Sequence, residues 1–465
     1  MGSNNAEDHV FGTRVLPVTT TDLGHFENQD TLEKWILPTA GLESLEEAAS
    51  HLKHTSIPVG FPTETVYGLG ADATRSDAVT GIYKAKGRPS DNPLIIHVCD
   101  LTMLGSLLSS PSPGHSSAVD PVPEIYKPLI KAFWPGPLTI LLPNPEPSKL
   151  APEVTAGLSS FGLRMPSSPL ALSLIQLAGV PLAAPSANAS TKPSPTTAQH
   201  VLHDLDGTIE IILDGGPCQV GVESTVVDGL CDPPVVLRPG GVSIDRIREC
   251  KGWGDVVKGY KDASEVGNQA PRAPGMKYKH YSPKAKVVLF EASPQSPSIL
   301  GIPTEAWKIM SALAKKTDHM GYESMEKTPL IGIVSTRHWP VTGGFEGVKW
   351  GWDNEEGVTK IIRRRPLDAS SNLQMKRGEF WRGVSFPESG ELPSDTDVHI
   401  ADIVTVSLGN ETKDIAHGLF SALRELDQRG VDVIYVEGIE DEGDIAAAVM
   451  NRLRKAASII ERVHT

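Results

Sequence analysis

The segment FPTETVYGLGADA, residues 61–73, connects an apolar, strand-like stretch to the helix-like pattern 75–86. A strand that passes through a glycine-containing turn into a helix is the building unit of α/β proteins. The polar groups of the segment include the hydroxyls of Thr63, Thr65 and Tyr67, and its two glycines let the backbone approach a ligand closely. A tight turn and a ligand-binding loop both fit this pattern. The segment is not a phosphate-binding P-loop, because G-x-x-x-x-G-K-[ST] is absent from the chain.

The alternation of short apolar strands with helical stretches continues to about residue 250 and predicts an α/β domain. Strands are predicted at 57–61, 93–99, 138–142, 161–165, 180–184, 209–214, 224–228 and 235–238. Helices are predicted at 75–86, 124–133, 168–179 and 243–250. Glycine and proline follow nearly every strand, which places many polar residues on loops at strand ends.

The domain boundaries follow from changes in this pattern. Residues 1–40 show little periodicity, and we expect an extended N-terminal lead there. The first α/β domain is predicted at 41–255, and 256–284 lies in a polar stretch, rich in glycine and proline, that is typical of a linker. A second, smaller α/β domain is predicted at 285–465.

The second domain is predicted to have a largely parallel sheet. Its strands are predicted at 286–290, 329–334, 402–407 and 431–436, and its helices near 304–316, 412–428 and 443–460. The segment 336–398 is long for a connection. It contains Trp339, Trp350, Trp352, Trp381 and the run Arg363-Arg364-Arg365. A peripheral insertion and a partner-docking lobe both fit it.

Composition limits the function classes. The chain has 465 residues and a net charge of -14, which argues against general nucleic-acid binding through a broad basic face. Its four cysteines are scattered without C-x-x-C spacing and predict isolated buried thiols. No apolar run reaches the roughly 18 residues of a membrane span. The first thirty residues are too acidic for a typical transit peptide, so we expect a cytoplasmic protein, with room for a minor organellar fraction.

Two basic residues end the helix predicted at 75–86. In KAKGRPSDNPLIIHV, residues 84–98, Lys86 and Arg88 stand two apart before a Gly/Pro turn. Two cations at this spacing can straddle a polyphosphate, and they can equally complement the helix dipole. Asn92 and His97 follow with neutral polar groups at the entry of the next strand.

Further polar residues follow other strands. In AAPSANASTKPSPT, residues 183–196, Ser186 and Asn188 end an apolar strand, and Ser194 precedes a helix. Serine and asparagine at such a position suit phosphate or ribose groups, although a capped loop fits equally well.

Three more positions complete the set: Arg164 in FGLRMP, Ser224 in GVESTVVD and Arg238 in VLRPGG. Arg164 falls inside a predicted strand, so we expect its side chain to point into a cleft. The four cations come with hydroxyls and an asparagine, but with no acidic dyad, Ser-His-Asp order or metal-ligand cluster. This combination predicts a reaction in which the protein orients anions and neutralises charge without supplying a nucleophile.

Together, FPTETVYGLGAD, the K-x-R pair Lys86/Arg88 and the S-x-N pair Ser186/Asn188 resemble the YrdC-type threonylcarbamoyl-AMP synthases. The resemblance covers roughly residues 40–260. PGMKYKHYSP, residues 274–283, and the domain after it resemble the long two-domain form of that family. The resemblance implies an N-terminal domain with an open, twisted, mixed sheet, helices and a concave basic cleft, and a smaller Rossmann-like C-terminal α/β domain.

The resemblance also implies the reaction. Family members convert L-threonine, bicarbonate and ATP, used with Mg²⁺, into L-threonylcarbamoyl-AMP and pyrophosphate. A tRNA threonylcarbamoyltransferase then modifies the adenosine beside the anticodon of tRNAs that read codons beginning with A. We therefore expect ATP, L-threonine and bicarbonate as small-molecule partners, a hand-over to that transferase, a weak tRNA contact and no membrane.

Site residues carry over by their matching motifs. The threonine pocket would consist of Thr65, His97, Arg164, Ala184 (through its backbone) and Ser224, with Arg164 on the carboxylate. The nucleotide side would consist of Lys86, Arg88, Asn92, Ser160, Ser186, Asn188, Ser194 and Arg238. Lys86, Arg88, Ser186 and Asn188 would be the catalytic group, and no metal ligand from the protein is predicted.

The linker contains five basic residues and no acidic one between 271 and 290, in a chain of net charge -14. We call residues 271–283 the basic strap. Our hypothesis is that it folds over the nucleotide, with Tyr281 first, and then Tyr278 or His280, touching ATP or the adenylate. A solvated basic linker is the alternative.

Two other classes of function were compared with this one. A nucleic-acid-binding module fits a basic concavity, but the acidic total and the 6% aromatic content count against it. The carbamoyl-adenylate-forming domain of hydrogenase-maturation carbamoyltransferases also resembles the first domain. Those proteins carry paired C-x-x-C zinc motifs upstream, and this sequence has none. The chemistry of the C-terminal domain, including a regulatory role, stays open.

Overall fold

The computed structural model describes residues 12–109, 120–260, 281–292, 328–339, 348–351, 373–382, 398–443 and 445–462. The chain divides into two compact units. The first covers residues up to His280 together with Gly443–Ala448, and the second covers Tyr281–Glu442 and the residues from Val449 onward. Each unit is an α/β fold around its own sheet, which agrees with the predicted fold class.

The first unit is built on an open, mixed sheet of eleven strands among its described residues. They are β1 (Arg14–Pro17), β4 (Val59–Pro62), β5 (Tyr67–Asp72), β6 (Ile95–His97), β7 (Leu138–Pro143), β8 (Ser160–Arg164), β9 (Leu182–Ala183), β10 (Ile211–Asp214), β11 (Thr225–Asp228), β12 (Val235–Arg238) and β13 (Val257–Lys258). Their order is β1-β10-β4-β5-β9-β6-β8-β7-β11-β12-β13. A two-stranded ribbon, β2 (His25–Phe26) and β3 (Trp35–Ile36), is separate from this sheet.

The helices of the first unit are α1 (Glu43–His54), α2 (Ser76–Lys86), α3 (Leu101–Leu108), α4 (Lys127–Phe133), α5 (Pro152–Thr155), α6 (Pro169–Ala178), α7 (Ala198–Leu205) and α8 (Ile244–Arg248). In α1 the apolar residues Leu45, Ala48, Ala49 and Leu52 recur at helical spacing and are all buried. Glutamates occupy its first turn and basic residues its last, which favours the helix dipole. This face of α1 packs against α6 and the sheet.

Residues 14–36 differ from the expected extended lead. β1 pairs in parallel with β10, with Arg14 opposite Ile211, and so forms the outer strand of the sheet. Trp35 is buried, stacks edge-on against Phe26 and donates its indole N–H to Ser173. The sequence did not predict these three strands, because strands of two to four residues are too short to show a periodicity.

The second unit contains seven strands among its described residues. They are β14 (Lys286–Glu291), β15 (Leu330–Ser335), β16 (Val348–Gly351), β17 (Gln374–Arg382), β18 (Val398–Ser407), β19 (Val433–Glu437) and β20 (Ile459–Arg462). The order is β16-β17-β18-β15-β19-β14-β20. Five neighbouring strands of this order are parallel: β18, β15, β19, β14 and β20. Its described helices are α9 (Thr412–Gln428) and α10 (Ala446–Ala456). The largely parallel sheet is confirmed.

The apolar side of α9 covers one face of this sheet. Its buried residues recur at helical spacing from Ile415 to Leu426. The helix lies so close that a Cβ on Gly332 of β15 would meet Leu426 at 3.1 Å. A glycine at this position therefore permits close helix–sheet packing.

Two predictions for the second unit need correction. The helix predicted over 443–460 ends at Ala456, and Ile459–Arg462 form β20 beside β14, because an apolar pair fits a parallel edge strand as well as a helix. The segment 336–398 is not wholly peripheral, since β16 and β17 add two antiparallel strands to the sheet. The helix predicted at 304–316, the run Arg363-Arg364-Arg365 and residues 271–280 of the basic strap lie outside the described residues.

Most predicted elements agree with the structure to within two or three residues. The strand predicted at 209–214 is Ile211–Asp214, and that at 235–238 is Val235–Arg238. The helix predicted at 168–179 is Pro169–Ala178. Within the described part of the chain, no helix is long and apolar enough to cross a membrane.

Candidate active site

Four polar side chains of the first unit lie in one row across the sheet, on neighbouring strands. His97 of β6 is opposite Arg164 of β8, and Val226 of β11 is opposite both Thr139 of β7 and Arg238 of β12. The β7–β8 ladder, continued by one residue from Ile140 opposite Leu163, places Thr139 beside Arg164. Paired residues on neighbouring strands point to the same face of a sheet. We call His97, Arg164, Thr139 and Arg238 the polar row.

Arg164 is the last residue of β8 and is only 4% exposed. Its Nε donates to the Gly136 carbonyl at 3.1 Å, and one terminal nitrogen donates to Thr65 Oγ1 at 3.0 Å. The other terminal nitrogen is 2.6 Å from Glu64 Oε1, an ion pair without hydrogen-bond alignment. The guanidinium group is therefore held in one orientation inside the fold, as the prediction of an inward-pointing side chain required.

His97 is buried beside this cation. Burial, and next the positive charge of Arg164, lower the pKa of His97 from its ordinary value of 6.5 to about 3. Its Nδ1 is 3.3 Å from the Ile95 carbonyl. The imidazole is therefore neutral over the physiological pH range, and it can exchange hydrogen bonds with a ligand without adding charge.

Thr65 is held in a tight turn directly after β4. Its hydroxyl is 2.8 Å from that of Thr63, which also donates to the Val66 carbonyl at 2.7 Å. The carbonyls of Glu64 and Thr65 accept hydrogen bonds from Val220 and Gly221. The turn is thus fixed from both sides, which makes the Thr65 hydroxyl a preorganised group.

Lys86, in the last turn of α2, binds both residues of the S-x-N pair. Its ammonium group donates to the carbonyls of Ser186 and Asn188 and lies 3.5 Å from Asn188 Oδ1. Ser186 Oγ donates to the same Asn188 Oδ1 at 2.5 Å. The K-x-R and S-x-N motifs, 100 residues apart in sequence, therefore meet as predicted.

The glycine of the KGR motif ends α2. Gly87 adopts the left-handed conformation with φ 58°, where its N–H bonds to the last turn, and the Arg88 N–H reaches the Tyr83 carbonyl at 3.0 Å. Arg88 then donates to the carbonyls of Asn92 and Pro93. Asn92 is 1% exposed, and its Oδ1 accepts no hydrogen bond from any residue that the structure describes.

The loop 184–196 lies along β5. Gly68 and Ser186 form a β-bridge, and the Tyr67 N–H donates to the Pro195 carbonyl at 2.8 Å. Asp204 of α7 anchors the loop by accepting from Lys192 at 2.9 Å and from the Ala189 N–H at 3.3 Å. Gly68 of β5 pairs with Ser186, and Thr65, three residues earlier, accepts a hydrogen bond from Arg164. This short stretch of chain therefore connects the S-x-N pair to the polar row.

Arg238 closes the other end of the polar row. It donates to the Ser224 carbonyl from two nitrogens and to Ser224 Oγ at 3.1 Å, and Ser224 Oγ is 2.8 Å from Thr139 Oγ1. A Cβ on Gly240 would come within 2.2 Å of the Thr225 nitrogen. Glycine is thus required where the chain after β12 passes the start of β11.

Three predicted residues occupy other positions. Ser160 begins β8 on the same face as Arg164, about 13 Å away at the ~3.3 Å rise of a strand. Ala184 uses its N–H in a bond to the Ile95 carbonyl, so its carbonyl is the backbone group left for a ligand to contact. Tyr281 is buried in the second unit, where its ring stacks on Phe420 at 5.2 Å and the Arg452 guanidinium lies 5.6 Å from its centre.

The buried acidic groups of the site were not predicted from the sequence. Glu64 lies inside the opening motif, and Glu223 precedes Ser224 and accepts from Ser194 Oγ at 2.5 Å. Asp204, on α7, was missed as well. The sequence did contain a sign of both glutamates, because each stands in a hydroxyl-rich motif next to a predicted ligand residue, Thr65 or Ser224.

The donor atoms of the site do not form a protein-held metal centre. No group of three or more His, Cys, Asp or Glu side chains suited to a metal ion occurs within the described residues. Glu64 and Glu223 each have a protein partner, in Arg164 and Ser194. Mg²⁺ in nucleotide sites usually keeps phosphate oxygens and water as ligands. The donors present therefore fit a metal ion carried by a nucleotide.

Two families match the chain. The family described as "Telomere recombination" (Sua5_yciO_yrdC) matches residues 55–240, and "Threonylcarbamoyl-AMP synthase, C-terminal domain" (Sua5_C) matches 242–458. The threonylcarbamoyl-AMP synthase of Schizosaccharomyces pombe is 43% identical over 437 residues, 91% of each chain. That of Bacillus subtilis is 39% identical over 413 residues, 89% of this chain and 92% of the other.

A solved structure is similar over the same length. The crystal structure of Pyrococcus abyssi Sua5 complexed with L-threonine is 34% identical, with a TM-score of 0.66. The match covers 97% of this chain and 100% of that one.

Proposed function

The chain belongs to the Sua5–YciO–YrdC family in its long, two-domain form, and from this premise we propose that the polar row and the S-x-N pair form its L-threonine and ATP site. The enzyme is a nucleotidyltransferase that makes L-threonylcarbamoyl-AMP for the N6-threonylcarbamoyladenosine modification of tRNA. Its relatives carry that activity in their names at 36–43% identity over most of the chain.

Threonine binds at Arg164 in this proposal. The observation that carries it is the fixed, buried guanidinium group beside a neutral His97 and the oriented Thr65 hydroxyl. A planar guanidinium group suits a carboxylate, and neutral donors and acceptors suit the substrate hydroxyl. Ser224 and the Ala184 carbonyl complete the pocket. Sua5 of P. abyssi was solved with L-threonine bound, which supports a threonine pocket in this fold.

The nucleotide occupies the side that holds the two motif pairs. Lys86 already binds three oxygens of Ser186 and Asn188, which matches the three donors of an ammonium group. Its main role in the proposal is therefore to place Ser186 and Asn188, while Arg88 and Arg238 neutralise the phosphates. Asn92 and Ser194 add neutral contacts, and Ser160, on the face it shares with Arg164, lies far enough away to reach the nucleoside.

Bicarbonate and Mg²⁺ complete the substrate set in this proposal. The α-ammonium group of threonine loses a proton, and the free amine attacks the carbon of bicarbonate with loss of water, which gives N-carboxy-threonine. A carbamate oxygen of this intermediate attacks the α-phosphorus of ATP while pyrophosphate leaves. Mg²⁺ carried by the triphosphate would supply charge neutralisation there. The chain's own residues hold the carbamate near Arg164 and the phosphates near Arg88. A labile carbamate requires that water be excluded during the reaction.

The product passes to a tRNA threonylcarbamoyltransferase, with at most a weak tRNA contact by this chain, in the same proposal. The net charge of -14 fits a protein whose anion binding is confined to a local basic site. The cytoplasmic address expected from the sequence stays a prediction, which cell fractionation would test.

The test is incubation with ATP, Mg²⁺ and bicarbonate plus threonine, serine or valine, with pyrophosphate and the AMP ester measured. We expect turnover with threonine and rejection of valine by at least about 10²-fold, because a site built to bond a hydroxyl leaves polar groups unpaired with the isostere. Arg164→Gln should raise the threonine KM by about 10²-fold or more. Arg248→Gln, at an exposed surface ion pair, is the matched control. Absence of threonine-dependent pyrophosphate would refute the proposal.

A further inference from the structure

The carboxylate of Glu64 is buried at the site. The residue is 6% exposed, and neither Oε1 nor Oε2 accepts a hydrogen bond from any residue that the structure describes. Among the described residues, its charged contact is the terminal nitrogen of Arg164, 2.6 Å from Oε1. That nitrogen also makes no hydrogen bond within the described chain.

This arrangement is unfavourable for an ion pair with a purely structural role. Removing two charges from water is compensated only when good geometry and additional hydrogen bonds satisfy the remaining lone pairs and protons. The other two buried carboxylates of the site meet that condition, since Glu223 accepts from Ser194 and Asp204 accepts from Lys192 and Ala189. Glu64 therefore has acceptor capacity that a ligand with several N–H donors would satisfy.

The turn that carries Glu64 holds its backbone in place. Val220 donates to the Glu64 carbonyl at 2.8 Å, and Gly221 donates to the Thr65 carbonyl at 3.1 Å. The Thr63 hydroxyl accepts from the N–H groups of Thr65 and Val66. Glu64 is thus fixed beside the predicted carboxylate-binding arginine, in the same turn as the predicted hydroxyl-binding Thr65.

An amino acid substrate has two opposite charges on one carbon. The residues assigned above supply a cation for the carboxylate, Arg164, but no anion for the ammonium group. His97 is neutral, and Thr65, Ser224 and the Ala184 carbonyl carry no charge. Resting on the proposed function, we propose that Glu64 binds the α-ammonium group of threonine, so that the Glu64–Arg164 pair recognises the zwitterion as a unit.

The test compares binding of L-threonine with that of (R)-3-hydroxybutyrate, which keeps the carboxylate, hydroxyl and methyl groups but lacks the ammonium group. Calorimetric titration of the full chain should give at least a 100-fold preference for threonine. Glu64→Gln should weaken threonine binding by about 30- to 100-fold, the range expected for one lost charge-assisted hydrogen-bonded contact. Its affinity for (R)-3-hydroxybutyrate should stay within about threefold.

Glu153→Gln is the matched control. Glu153 Oε2 is also buried without a hydrogen-bond partner in the described chain, but it lies on α5, outside the proposed site. We expect this variant to bind both probes like the wild type. If Glu64→Gln does not fold, Glu64→Asp replaces it, with an expected loss of at least tenfold for threonine alone.

Unchanged threonine affinity in a folded Glu64 variant would overturn this inference and leave the proposed function standing. A wild-type chain that does not bind L-threonine would overturn both. Equal losses for the two probes would also overturn it, because they would show that Glu64 acts only by orienting Arg164 toward the shared carboxylate.

Discussion

Burial determines the charge of individual residues in the site. Arg164 lies beside Glu64 and donates to two oxygen acceptors. Burial, and next the positive charge of Arg164, lower the pKa of His97, which is therefore neutral. Burial also raises the pKa of the Cys218 thiol, so this cysteine is un-ionised and unreactive beside the same charges. The cysteine spacing predicted isolated buried thiols. All four cysteines are free, but only Cys99 and Cys218 are buried, whereas Cys231 and Cys250 are partly exposed.

The lowered pKa of His97 predicts a pH-dependent stability. The unfolded chain takes up a proton below pH 6.5, whereas the folded chain does so only near pH 3. The contribution of His97 is therefore complete above pH 6.5 and is lost as the pH falls from 6.5 towards 3, at about 1.4 kcal/mol per pH unit. Between pH 7 and pH 5, we therefore expect the free energy of unfolding of His97→Gln to fall by about 2 kcal/mol less than that of the wild type.

Urea unfolding at the two pH values measures this difference. The exposed His54, replaced by glutamine, is the control and should follow the wild type. An identical pH dependence in wild type and His97→Gln would contradict the prediction. Because the folded-state pKa is far below neutrality, the threonine KM should also show no titration of His97 between pH 6 and 8.

At the level of elements, the site is a consequence of strand order. β6 and β8 are parallel and end together, β7 and β11 begin at that edge, and β12 returns to it. Residues at these ends thus converge although they are far apart in sequence. The same arrangement makes the chain after β12 pass directly over the start of β11, where Gly240 lies.

Gly240→Ala should disrupt this crossing. The added Cβ would lie 2.2 to 2.4 Å from backbone atoms of Thr225, Ser224 and Glu223, which cannot move as a flexible side chain could. We expect a loss of at least about 2 kcal/mol in the free energy of unfolding, with reduced turnover because Ser224 and Arg238 shift.

Gly254→Ala is the control, since nothing lies within 4 Å of its added Cβ. It should change stability by less than about 0.5 kcal/mol. The measurements are denaturant unfolding and threonine-dependent pyrophosphate release. Equal stability of the two variants would show that the crossing tolerates a methyl group.

For the whole molecule, the basic strap spans the point in the sequence where the first unit ends, at His280, and the second begins, at Tyr281. Its end, Tyr281, is packed against Phe420 inside the second unit. An ATP contact by Tyr281 therefore stays a prediction. Testing it requires a variant that keeps the packing of Tyr281 against Phe420 intact. Tyr281→Phe removes the hydroxyl and keeps the stacked ring, whereas Tyr281→Ala would also create a cavity.

A chain cut after residue 260 tests the strap as a lid. We expect it to bind threonine like the full chain but to turn over at least tenfold more slowly, because the labile carbamate would be exposed to water. Pyrophosphate release per enzyme, and the fraction of ATP hydrolysed without forming the AMP ester, measure the effect. Full turnover of the cut chain would show that the strap is an ordinary linker.

How far the sequence could predict the molecule differs between its parts. Several strands and helices of five or more residues, such as β8 and α9, were located within two or three residues because hydrophobic periodicity is a local property. Others of that length were not predicted: α1, α3 and α7 are absent from the predicted helix ranges, and β5 lies in the segment that was predicted as a turn or a ligand-binding loop. β1 to β3 and β20 were missed because very short strands carry no periodic signal and depend on a distant partner. The meeting of Lys86 with Ser186 and Asn188 was predicted from motifs, without their hydrogen bonds.

The sequence by itself determined the two α/β patterns, the motif residues and the resemblance to a family, since each depends on residues close together in the chain. Only the tertiary structure decided that Glu64 contacts Arg164, that His97 is neutral and that Tyr281 packs against Phe420. These properties depend on burial and on distances between residues about 100 positions apart. Strand register and packing fix both quantities, and no local pattern in the sequence specifies them.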